Sequence, residues 1–332
     1  MLSVFYNRRQ RRFRCAIRLV LQSWMMIAMI VGSIIPLTEF WRWLGHSTSS
    51  PMFLAAMGFI QASAVAASVL LASWLIDRRD AGFTAATYGW QRWCWSELAI
   101  GFALGGGAML AIFGIELALG WIQVQPFRER SLTQLGHFLS YFLVTLTLFL
   151  AVGISEELLS RGYQLKNLAE GLRGCGKRSS VAMATLLSSL VFGGLHAFNE
   201  HSTMVSCLSV SLAGMMLATG RIVFGNLAAP IGIHVAWNLF QGPILGFPVS
   251  GNVIPGGPIE LVQAGPAVWT GGQFGPEAGL IGVLAVVVLW CILLGWGSRR
   301  KTFSREMARL TRLPRCRRVA SCGPGLAKQN SV

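Results

Sequence analysis

The chain has 332 residues, of which 53% are hydrophobic and only 12% charged, with 28 Lys and Arg against 13 Asp and Glu for a formal net charge of +15. That balance excludes the soluble domains its length would otherwise allow, and it predicts an all-α fold, a polytopic transmembrane helical bundle. Seven scattered cysteines suggest neither a paired disulfide framework nor a zinc ribbon.

The chain opens with a basic segment, 1–16, carrying Arg8, Arg9, Arg11, Arg12 and Arg14, with Arg18 just beyond. The apolar stretch that follows is too long for a signal peptide and shows no small-residue cleavage pattern, so it reads as a first span that is kept. Taking about 20 apolar residues per span, eight candidates follow, at 17–37, 53–76, 97–122, 137–160, 181–199, 203–224, 227–246 and 278–297. The chain then divides into three N-terminal spans over 17–136, a core of four spans over 137–246, a Gly- and Pro-rich loop over 247–277, a last span, and a basic tail over 298–332. In the third span, Gly105-Gly106-Gly107 points to tilt, a kink or close packing. Glu116 reads as an interfacial residue near a helix end rather than a second catalytic acid.

Loop charge sets the expected orientation. Arg78, Arg79 and Arg92 follow the second span, and Arg161, Lys166, Arg173, Lys177 and Arg178 follow the fourth; the opposite loops hold Arg42, then Arg128 and Arg130, then no cation at 199–202 or 247–277. The positive-inside bias predicts a multi-pass protein with both termini cytoplasmic, in the plasma (inner) membrane if bacterial, and the 247–277 loop irregular and extracytoplasmic. The basic tails are expected to meet anionic headgroups. No aromatic interleaving or motif suggests a nucleic-acid partner.

The chemistry gathers in the core. Gly153-Ile154-Ser155-Glu156-Glu157-Leu158-Leu159-Ser160-Arg161-Gly162 ends an uncharged run from Phe138 to Val152, and ionisable residues at such depth are functional candidates. Glu157 and Arg161 are four apart and pair on one face, while Glu156 points about 100° away with no partner in its own segment, as a general base would. The bland alternative is a solvated salt bridge where a helix leaves the membrane. Phe192 and His196 lie one turn apart on the fifth span, and His234 and Asn238 on the seventh. Together the groups suffice for hydrolysis: Glu156 takes a proton from water, His196 positions or activates that water, and His234 with Asn238 donates to an oxyanion. Glu156, His196 and His234 are also a possible three-ligand Zn2+ set with an open position, although no His-Glu-x-x-His element is present. Metal or no metal stays open at this level. With these span ends His196 would lie about fifteen residues, roughly 22 Å, into its span, whereas Glu156 and His234 would lie near the cytoplasmic ends of theirs. Convergence therefore requires longer or tilted helices.

Glu156-Glu157-x-x-x-Arg161, Phe192-x-x-x-His196 and His234-x-x-x-Asn238, in this order on apolar segments, resemble the three motifs of the CPBP family of intramembrane proteases, which includes type II CAAX prenyl endopeptidases and bacterial Abi proteins. The resemblance covers about 137–246. It implies an intramembrane endopeptidase in which Glu156 and His196 activate water, His234 and Asn238 support the oxyanion, and Glu157, Arg161 and Phe192 are supporting motif positions. The family is often filed as metalloprotease, and its eukaryotic branch is often described as using a glutamate-activated water. The implied partner is a peptide or protein substrate with a membrane-associated segment, reached sideways or from the cytoplasm; in a bacterium it would be a bacteriocin-like peptide or a membrane-protein segment. Two other classes use the same groups: a proton- or cation-coupled transporter, which an internal repeat would favour, and a non-catalytic membrane scaffold.

Overall fold

The computed structural model describes residues 6–7, 12–45, 47, 51–77, 94–125, 132–254, 257–298 and 302–313. Arg78, Arg79, Arg92, Arg128 and Arg130, and the tail cations in 299–301 and 314–332, lie outside the described residues.

The apolar runs form α1 (Cys15–Trp43), α2 (Pro51–Leu75), α3 (Trp95–Ala118), α4 (Leu132–Glu157), α5 (Leu165–Gly171), α6 (Lys177–Leu195), α7 (Met204–Phe224), α8 (Ala228–Leu239), α9 (Ala267–Thr270), α10 (Leu280–Ser298) and α11 (Thr302–Thr311). Two short antiparallel ribbons accompany them: β1 (Tyr6–Asn7) with β2 (Arg12–Phe13), and β3 (Ile122–Val124) with β4 (Leu261–Gln263), in which Ile122 faces Gln263 and Val124 faces Leu261. The fold is a polytopic helical bundle, and among the described residues seven helical stretches are long and apolar enough to cross a membrane. Helices suit that setting because they satisfy their own backbone polar groups.

The stretch expected as the seventh span is not among those seven. It comprises the 12 residues of α8 and a π-helical turn, Phe240–Ile244, together roughly 25 Å, short of a full span. It nevertheless crosses the bundle. Gly101, Gly105 and Gly106 of α3 face Ala229, Ile233 and Phe240 in that order, so α8 runs parallel to α3. A Cβ at Gly101 or Gly105 would run into the carbonyl oxygens of Ala229 and Ile233, so only glycine permits this approach. Gly107 has open space beside it, so of the three consecutive glycines two do the packing. Beyond the two helices, β3 and β4 pair, which brings both chain ends to one face. Nearly all of α8 is buried; enclosed by protein, it need not match the hydrocarbon thickness. Met109 and Ile112 of α3, Met216 and Leu217 of α7, Ile233 and Trp237 of α8 and Leu289 of α10 make the main core.

The fourth span does not end at 160. After α4 the helix continues through a π-helical turn, Leu158–Gln164, into α5 and stops at Gly171. Arg161 and Lys166, expected as loop charge, and Glu170 beside them are each buried to 2% exposure or less. They are neutralised inside the protein. Glu170 takes Arg12 and Lys166, each at 3.0 Å, and Arg18 lies 3.4 Å from both Asp77 and Glu170. Lys166 Nζ also donates to the carbonyls of Arg309, Leu310 and Arg312 at the end of α11. Arg12 and Arg18 thus sit in a buried ion network instead of facing headgroups. Arg173, Lys177 and Arg178 do lie at the turn between α5 and α6.

Two further expectations change. Glu116 lies two residues before the end of α3, but it is fully buried against protein, with neither carboxylate oxygen hydrogen-bonded among the described residues. The 247–277 stretch carries β4, α9, a bridge between Val249 and Asn252 and a 3₁₀ turn at Pro276–Ala278, and it folds back on the bundle.

Candidate functional site

The continued helix resolves the depth conflict. Glu156 lies 15 residues before Gly171, and His196 lies 19 residues after Lys177, so the two sit at comparable heights on the arms of one hairpin. His196 ends α6 and opens a 3₁₀ turn, His196–Phe198. The next helix starts at a capping box, where Thr203 accepts from the Ser206 backbone N–H and Ser206 from that of Thr203, which fixes the return of the chain. Gly193 lets the hairpin close beside the site: a Cβ there would run into Ser211 Oγ and the Cys207 carbonyl of α7.

Glu156, His196, His234 and Asn238, from α4, the end of α6 and α8, line one cavity of about 470 Å3. Its walls are largely apolar, with Leu148, Phe149, Val210, Met216 and Trp237 among them. Met57, Gly58 and Gln61 of α2 line one side; Asn199, Ser250, Asn252 and Glu277 line an end formed by the loops after α6 and α8. On the orientation read from loop charge these loops are extracytoplasmic. The polar end therefore lies at the opposite end of the bundle from the basic turn at 172–178.

The adjacent glutamates occupy different surroundings. Glu157 is fully buried; its Oε1 accepts from Arg161 at 2.7 Å and from His234 Nδ1 at 3.0 Å. The Arg161 guanidinium also lies over the face of Phe192, 4.2 Å from the ring centre, the side of the ring that attracts a cation. Phe192 meets His196 and His234 in edge-to-face contacts at 4.9 and 6.2 Å. Glu156 has a side chain 34% exposed to the cavity, and its Oε2 lies 3.7 Å from His234 Nε2. That is too far for a direct hydrogen bond and leaves room for a water touching both.

Ring protons follow from these contacts. His196 Nδ1 lies 2.9 Å from the Phe192 carbonyl, which can only accept, so Nδ1 carries the proton and a neutral ring keeps an Nε2 lone pair. His234 Nδ1 donates to Glu157, so its Nε2 likewise accepts in the neutral ring and donates only when a second proton is bound. The pairing of His234 with Glu157 is new relative to the motif reading, which tied Glu157 to Arg161 alone. No local spacing signals it, because 77 residues separate the two.

A zinc set does not fit this arrangement. Among the described residues no three His, Cys, Asp or Glu side chains are grouped so that they could hold a metal ion.

Glu277 was not anticipated. It follows the long loop and reaches the cavity from outside the motif-bearing helices. Burial pushes its carboxyl above the usual range, partly countered by hydrogen bonds from Ser250 and Gln241. The one sequence hint is that it is the acid that ends the stretch just before the last span.

Residues 138–240 match the family model described as Rce1-like, type II CAAX prenyl endopeptidase Rce1-like. No curated protein and no solved structure matches the chain. The matched segment holds Glu156, Glu157, Arg161, Phe192, His196, His234 and Asn238 and leaves out Ser250, Asn252 and Glu277.

Proposed function

We propose, from the match of residues 138–240 to the Rce1-like type II CAAX prenyl endopeptidase family model, that the chain is an intramembrane endopeptidase that hydrolyses a peptide bond with a glutamate-activated water. Glu156 takes a proton from the water as its oxygen bonds to the scissile carbonyl carbon. His196 Nε2 accepts the water's other hydrogen and holds it in line. A water about 3 Å from each group can be shared by two side chains up to about 6 Å apart, so direct contact is not required. Asn238 Nδ2 donates to the oxyanion, and His234 joins it through Nε2 when doubly protonated. Glu157 holds His234 in this orientation, and Arg161 neutralises Glu157. When the carbon–nitrogen bond breaks, the proton on Glu156 passes to the leaving amine, the carbonyl re-forms, and Glu156 is again a carboxylate.

The observation that carries the reading is the convergence of Glu156, His196, His234 and Asn238, from three elements, on one mostly apolar cavity. Such walls suit the apolar side chains of a membrane-associated segment, so the proposed substrate is a peptide or a membrane-protein segment. We also propose cytoplasmic termini, as loop charge suggests. Purified protein in detergent should cleave members of a quenched peptide library, and Glu156→Ala should cleave none of them. Equal cleavage by both would end the proposal.

A further inference from the structure

The polar end of the cavity is a built feature from outside the matched core. Ser250 has left-handed backbone, with φ of 48°, a region that non-glycine residues occupy at a cost. Gly251 follows at φ of 86°, and a Cβ there would run into the Glu200 carbonyl. Three contacts hold this turn. Asn199 Nδ2 and Asn252 Nδ2 donate to the Ser250 carbonyl at 3.1 and 3.3 Å, and the Gly251 N–H donates to the Phe274 carbonyl at 2.8 Å. Ser250 Oγ donates to Glu277 Oε1 at 2.5 Å.

The pattern of donors and acceptors is lopsided. The Ser250 oxygen can only accept, so each asparagine must turn its NH₂ toward it, which leaves both Oδ1 atoms as acceptors. Asn199, Asn252 and Glu277 all line the cavity, and among the described residues no Lys or Arg does. The hydroxyl and both amides are thus engaged within the turn, while two amide oxygens and a carboxylate remain.

We infer that this end of the cavity binds a cationic group of the substrate, either a lysine or arginine side chain or an α-ammonium, so that the protein selects apolar peptides carrying a positive charge. An ammonium has three donors and no acceptor, which matches the two Oδ1 atoms and the Glu277 carboxylate. Hydrogen bonds between charged partners in a largely apolar enclosure are among the stronger ones. Burial holds the Glu277 carboxyl above its usual range, and an incoming cation would relieve that cost. A substrate carboxylate at this end would instead meet Glu277 with no described cationic side chain to answer it.

The inference rests on the endopeptidase reading, and one experiment separates the two. A peptide of fixed apolar sequence carries Lys, norleucine or Glu at each position in turn, with a free or an acetylated N-terminus. Cleavage by the wild-type protein in detergent is read as kcat/KM; binding to Glu156→Gln is read by fluorescence anisotropy. A cation at one position, or a free N-terminus, should raise both readouts by about tenfold over the neutral peptide. The acetylated arm tells which source of charge is bound. Glu277→Gln should abolish the preference, and Glu277→Lys should transfer it to the Glu-containing peptide. Cleavage without a cation preference in the wild-type series overturns the inference whether or not the Glu277 variants fold, as does a preference that folded variants leave unchanged. A cation preference in binding without any cleavage would keep the inference and overturn the protease reading; neither binding nor cleavage overturns both.

Discussion

Arg161→Ala should destabilise the protein strongly although Arg161 is assigned no chemical step. The guanidinium is 2% exposed, lies 2.7 Å from the fully buried Glu157 and covers the Phe192 ring at 4.2 Å. Removing one member of a buried pair costs about 3–5 kcal/mol because the other charge stays desolvated. The lost cation–π contact adds up to about 2 kcal/mol. Glu157 retains His234 at 3.0 Å, so the expected loss is about 4 kcal/mol, within the range for a broken pair rather than above it. Glu157→Gln with Arg161→Met removes both charges, keeps the approximate shape and should recover part of that loss, since an apolar replacement of a buried pair is often tolerated. Thermal unfolding in detergent of the wild type, the single variant and the double variant reads the comparison. A wild-type unfolding temperature for Arg161→Ala, or a double variant no more stable than it, would refute the assignment of a buried neutralising pair.

Gly105→Leu should abolish folded, extractable protein, because any Cβ there meets the Ile233 backbone and moving α8 displaces His234; size-exclusion chromatography in detergent checks this, with Gly107→Leu as the tolerated control. Chelators should leave peptide cleavage unchanged, since no three-ligand group is formed among the described residues; activity lost to chelation and restored by added zinc would reverse that. Glu277→Gln should raise thermal stability at alkaline pH and not at acidic pH. The sign follows from burial: a carboxyl whose folded-state pKa is raised loses stability as pH climbs from the ordinary carboxyl range through the raised value, and glutamine carries no charge to desolvate.

Much of the site was legible because helical spacing is local. Positions 156, 157 and 161 divide by geometry into one free and two paired groups, and one-turn spacing joins Phe192 to His196 and His234 to Asn238. Span ends were legible only where charge marks the edge of lipid. Arg161, Lys166 and Glu170 violate that rule because Glu157, Arg12 and the end of α11 answer them from within the protein. A span bounded by charge alone therefore ends at 160, which sets His196 at the wrong depth. The same local view took α8 for an ordinary span, since composition does not distinguish a helix buried in protein from one facing hydrocarbon.

Long-range partners left no trace in spacing. His234 finds Glu157 across 77 residues, and Ser250 finds Glu277 across 27. The glycines and prolines of 247–277 announced irregular backbone, but the return of that backbone to the cavity depends on β4 pairing with β3 and on positive φ at Ser250 and Gly251. The enclosure of Glu116 escapes a local reading for a related reason. Position near a helix end suggests an interface, and only packing reveals that its carboxylate is enclosed, without a hydrogen bond among the described residues.

The central claim is that two adjacent glutamates have separate tasks, Glu156 in proton transfer and Glu157 in holding Arg161 and His234. Turnover of a cleaved peptide and unfolding temperature, measured side by side for Glu156→Gln and Glu157→Gln, test it most directly. The account predicts no turnover at a wild-type unfolding temperature for Glu156→Gln, and a lowered unfolding temperature with reduced but measurable turnover for Glu157→Gln. Continued turnover by Glu156→Gln, or the same stability and activity in both variants, would contradict it.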